Sequence, residues 1–148
     1  MKDTGKITLK RAINCYKPII TQIEYKTKKS RQFFDTYGFH FEETWNLDKE
    51  VAYFMLVRLV YLRDNLQGFP AILLESRYPW DRAVRRRYDS SLTREEEVIC
   101  MRMWKTILDK IIRGLYLDII LVYPREKERK IIEQAWKLLA EWHDYLWD

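Results

Sequence analysis

Residues 93–146 read TREEEVICMRMWKTILDKIIRGLYLDIILVYPREKERKIIEQAWKLLAEWHDYL, and this stretch decides the fold. Thr93 and Glu96 stand at capping-box spacing, so a helix starts at Thr93. Val98, Met101, Trp104, Leu108, Ile111, Ile112, Leu115 and Ile119 then recur at helical spacing to about Val122. Gly114 interrupts this helix as a weak point, worth roughly 1 kcal/mol relative to Ala. Pro124 ends it and opens another, with Ile131, Ile132, Ala135, Leu138, Leu139, Trp142 and Leu146 on one face. So short a link returns the second helix against the first as a hairpin.

Working outward, residues 46–67 predict one more helix. Asn46 is placed to cap it by accepting a backbone N–H, and Asp48 and Glu50 suit the positive end of its dipole. Its core stripe is expected to be Val51, Phe54, Met55, Leu59, Leu62 and Leu66, with Arg63 and Gln67 on the other side. Gly68, by allowing positive φ, and Pro70, by refusing to continue, stop it. Nearer the start, Pro18 suits a first helical turn. A helix over residues 18–37 follows, ending at Gly38 and weakened by its basic middle, 26–31. Before it, Ile7, Leu9 and Ile13 fit a short strand or the start of a helix. Residues 71–92 read as a long, Arg-rich connection, with room for a short helix near Trp80–Arg87.

These elements assemble into one domain spanning residues 1–148, an all-α bundle of three to four helices. The long connection lies between the second and third. Only 4 Gly and 4 Pro in 148 residues, with 47% hydrophobic residues, favour long regular elements around a real core. Cys15 and Cys100 lack CxxC spacing and read as buried, reduced thiols, which fits a cytoplasmic setting. The apolar run 107–123 is broken by Asp109, Lys110, Arg113 and Asp118, too many charges for a membrane span.

Catalytic and cofactor patterns find no match. His40 and Glu42 form HxE without the PCxxC of zinc deaminases, and His143-Asp144 lacks the further ligands that metal phosphohydrolases need. HExxH, paired ExxH, GxxxxGK[ST], GxGxxG and GxSxG do not occur. Glu95, Glu96 and Glu97 are explained by the helix start they occupy. No metal site, cofactor or catalytic residue is therefore assigned.

The charge distribution is more telling. Residues 1–37 carry nine Lys and Arg against three Asp and Glu, and residues 77–94 carry six Arg against two Asp. Arg82, Arg85, Arg86 and Arg87 can fork onto phosphates, and the neighbouring Tyr78, Trp80 and Tyr88 can stack on bases. They are the candidate site for an anionic ligand or nucleic acid. A second polar set lies in the apolar stripes. Arg58, seven residues after Val51 and four before Leu62, is expected inside the bundle, paired with Asp109 or Asp118. Burial of that pair predicts that Arg58→Met is tolerated better than Arg58→Ala.

The string Trp45-Asn46-Leu47-Asp48, then Ala52-x-Phe54, Arg58-Leu59, Gly68-x-Pro70 and Trp104 followed by Ile107-Leu108-Asp109-Lys110-Ile111-Ile112 resembles a family of small uncharacterised tailed-bacteriophage proteins. The resemblance covers roughly residues 33–115 and makes Asp48, Arg58 and Asp109 motif positions. It implies a source and no mechanism. The basic segment 77–94 and the long last helix differ from short members of that family. The resulting expectation is a non-enzymatic interaction protein, an inhibitor or sponge acting on host defence machinery in the host cytoplasm. Its partner would be a host protein or a nucleotide, and self-association is compatible with the same features. The alternative is a nucleic-acid-binding module using residues 77–94.

Overall fold

The computed structural model describes residues 5–18, 28–39, 44, 46–77 and 93–146, and only the backbone of 28–30 and 75–77. The fold is all-α, with no strand among the described residues. The helices are α1 (Leu9–Asn14), α2 (Lys28–Tyr37), α3 (Leu47–Asp64), α4 (Ile72–Arg77), α5 (Arg94–Ile120) and α6 (Glu126–Trp142), with a final 3-10 turn at His143–Tyr145.

Helix α5 is the spine. At 27 residues it runs about 40 Å, and α6 returns along it while α3 packs on another side. Its start is the expected capping box: Thr93 Oγ1 accepts from the Glu96 amide at 3.4 Å, and the Glu96 carboxylate accepts from the Thr93 amide at 3.0 Å. Cys100, Trp104, Leu108, Ile111, Ile112, Leu115 and Ile119 are buried along it, whereas Val98 faces solvent. Against them lie Ile132, Ala135 and Leu139 of α6, and the Trp104 and Trp142 rings meet with centroids 5.5 Å apart. At Gly114 these helices lie close together. A Cβ there would collide with that of Ala135 and come within 2.9 Å of the Ile131 carbonyl oxygen. The glycine that weakens α5 in isolation lets α5 and α6 touch.

Several expectations are corrected. The buried face of α3 is Ala52, Leu56, Leu59, Val60 and Arg63, so the helix is turned by about one residue from the expected stripe, and Val51 and Phe54 face solvent. Asn46 precedes α3 as expected but makes no side-chain cap bond; its carbonyl accepts from the Glu50 amide. Gly38 alone among the described glycines takes positive φ, closing α2 as expected, while Gly68 lies in a non-helical run without it. Pro18 is not helical, Leu9 and Ile13 belong to the short helix α1 while Ile7 precedes it, and residues 19–27 lie outside the described set. The connection begins with α4, whose Leu73 and Leu74 bury against the core. Cys100 is buried and Cys15 partly so, and the two form no disulfide.

Candidate interaction surface

Helix α3 carries the polar and exposed features that matter, and they separate onto opposite faces. On the inner face the guanidinium is Arg63, not Arg58. Only 1% exposed, it donates from Nη1 to Asp109 Oδ1 at 2.8 Å, from Nε to Asp64 Oδ1 at 3.1 Å, and from Nη2 to the Ile7 carbonyl at 2.8 Å. Lys6 Nζ adds a 2.8 Å ion pair to Asp64. Burial works against the Arg63 charge, but hydrogen bonds to Asp64 and Asp109 outweigh it and raise its pKa. The Arg63 hydrogen bond holds the Asp64 carboxyl below its usual range, with Lys6 assisting. This knot ties the segment before α1 to α3 and α5.

Asp118 forms a second tie. Its Oδ1 lies 3.2 Å from Lys49 Nζ, which also donates to the Asp118 carbonyl, and its Oδ2 accepts from Trp136 Nε1 at 3.1 Å. Thus α3, α5 and α6 meet at one carboxylate. Asp48 is largely exposed near Lys49. Nearby, Tyr16 donates to Glu50 Oε1 at 2.8 Å, and burial, then that hydrogen bond, push the phenol up to about 12.

The outer face of α3 is apolar and open. Leu47, Val51, Phe54, Arg58 and Tyr61 follow one another at intervals of four, three, four and three, which keeps them in one line along the helix. The four apolar members are 42–59% exposed. Arg58 lies over the Phe54 ring with its guanidinium carbon 3.4 Å from the centroid, and its Nη1 donates to the Phe54 carbonyl at 3.0 Å. It is therefore a surface cation laid on an aromatic ring, not half of a buried pair. Of the four polar residues singled out from sequence, the structure brings Asp109 to Arg63 and Asp118 to Lys49, and leaves Arg58 and Asp48 outside.

Tyr78, Trp80, Arg82, Arg85, Arg86, Arg87 and Tyr88 lie outside the described residues, as do His40 and Glu42. His143 Nδ1 donates to the Ala140 carbonyl, 2.7 Å away, and its Nε2 is 3.0 Å from Asp144. Among the described residues no group of three His, Cys, Asp or Glu could hold a metal ion. No described helix is long and apolar enough to cross a membrane. Searches of family models, curated proteins and solved structures found no match to this chain.

Proposed function

We propose that this is a small non-enzymatic interaction protein, of the kind phages direct at host machinery, and that it binds a host protein through the outer face of α3. The observation that carries this reading is the open line Leu47, Val51, Phe54, Arg58 and Tyr61. Its four-three spacing is that of a helix–helix seam, and an exposed contiguous apolar stripe marks an interaction site more often than it decorates a monomer. Its aromatic and Arg members are the residue types that dominate binding energy. The fitting partner is an amphipathic helix with the same spacing and a carboxylate opposite Arg58. The resemblance to phage proteins supports the choice of a host protein.

A photo-crosslinking residue at position 61, expressed in a bacterial host, tests this. It is expected to capture a helical peptide of a host protein. Phe54→Asp should abolish that adduct while the circular dichroism spectrum stays unchanged. An adduct that survives Phe54→Asp, or none at all, would remove α3 from the function. An adduct to a second copy would replace the host partner by self-association. The charge of residues 77–94 favours nucleic acid as a second reading. Its support would be a salt-steep nucleic-acid affinity lost on charge reversal at Arg85, Arg86 and Arg87.

A further inference from the structure

A cleft that shares no lining residue with the α3 stripe is the strongest unassigned feature. The Arg63 knot pins residues 5–7 against α3 and α5 and so makes one wall. Helix α5 makes the floor, and the start of α6 makes the opposite wall. The volume is about 660 Å³, within the range of roughly 300–1,000 Å³ usual for small-molecule sites. Ile112, Leu117, Ile120, Leu121 and Ile131 give it an aliphatic lining.

Charge at the cleft is mostly positive. Lys6, Arg11, Arg63, Arg113 and Lys127 border it, against Asp109 and Glu128. Arg63 and Lys6 are engaged in the knot, and Arg11 Nε donates to the Tyr116 hydroxyl at 3.0 Å. Glu128 Oε2 accepts from the Arg125 amide at 2.8 Å. Arg113 and Lys127 remain, one from α5 and one from α6, exposed and without an ion pair among the described residues. The crossing at Gly114 brings the two helices together next to Arg113.

We infer that this cleft binds an amphiphilic organic anion: an aliphatic body on the floor and a single anionic head held between Arg113 and Lys127. The aliphatic floor supplies area without direction, and the two cations supply the polar end. A nucleotide fits less well. The one aromatic side chain among the described lining residues is Tyr116, and the Arg11 guanidinium already lies 4.8 Å from its ring centroid, where a base would stack.

Isothermal titration of the full chain at low salt with decanoate, kept below its micelle concentration, tests the inference. Saturable one-to-one binding is expected. Decanol, which lacks the head, and butyrate, which lacks the body, should each bind at least about tenfold more weakly. The double variant Arg113→Gln, Lys127→Gln should lose a similar factor for decanoate with an unchanged circular dichroism spectrum. Phe54→Asp should leave decanoate binding intact, which separates this site from the α3 reading. The inference is overturned if decanoate does not saturate, if decanol matches it, if the double variant binds equally well, or if adenosine monophosphate binds more tightly than decanoate.

Discussion

Two arginines five positions apart on α3 show how much a side chain's surroundings decide. Arg63 sits under two carboxylates and a carbonyl, out of water, whereas Arg58 rests on an exposed ring. Removing Arg63 leaves Asp109 and the Ile7 carbonyl without their donor and opens a hole. Arg63→Ala is therefore expected to cost about 2–4 kcal/mol in urea unfolding, mostly through the hole and the orphaned Ile7 carbonyl since Asp109 is half exposed, and Arg58→Ala only about 0.5–1 kcal/mol. Arg63→Met should be tolerated better than Arg63→Ala, because it fills the space. Equal losses for Arg63→Ala and Arg58→Ala would contradict this. The knot also sets a pH dependence. The folded Asp64 pKa lies below its unfolded value, so its stabilisation is present above about pH 4. That stabilisation is lost as pH falls through the lowered value. Urea midpoints of the protein and Asp64→Asn should differ most near neutrality and converge in acid. The sequence points to an Arg of this helix paired with Asp109 or Asp118 and takes it to be Arg58; the structure gives Asp109 to Arg63 and Asp118 to Lys49. Eleven of the twelve residues 51–62 are apolar, so periodicity gave no face to prefer. Arg63 was discounted because it lies off the assumed stripe.

Elements were easier to read than faces. The starts of α5 and α6 follow from local chemistry, a capping box and a proline, and the α5 stripe from a clean 3.6-residue repeat with polar residues between. Helix α4 was missed because six residues leave too little periodicity to separate from a connection, and its stability comes from Leu73 and Leu74 packing on the core. The α5–α6 crossing was also out of reach, since a glycine within a helix reads as a defect until its neighbour is known. In an open helix Gly→Ala gains about 1 kcal/mol. Here Gly114→Ala should instead destabilise by about 1–3 kcal/mol, as overpacking does. Ala135→Gly added to it should recover part of the loss, as it removes the colliding Cβ. A raised melting temperature for Gly114→Ala would show that the helices separate without cost.

At the scale of the whole molecule, α5 is held from several sides and the outlying helices from few. Its residues 108–115 contact both α3 and α6 and include the most completely buried side chains. Hydrogen exchange should be slowest there, at the rate of global unfolding, and fastest in α2, which packs little on the other described helices; α1, held by the Thr8 cap, the Arg11–Tyr116 hydrogen bond and the Arg63 tether beside it, should open next. Equal protection of α1 and α5 would argue for a single all-or-none unit. Neither the candidate surface nor the cleft is legible from sequence: the first depends on which way α3 is turned, the second on residues 5–7 meeting residues more than a hundred positions later. The two thiols record the same gradient. Cys15 is half-buried, donates to the Ala12 carbonyl at 3.1 Å and is pushed up in pKa by burial, while Cys100 is fully enclosed. An alkylating reagent would thus mark the chain twice, slowly at Cys15 from the native state and at Cys100 only when the spine lets go, so that two chemical clocks run on one molecule without any engineered label.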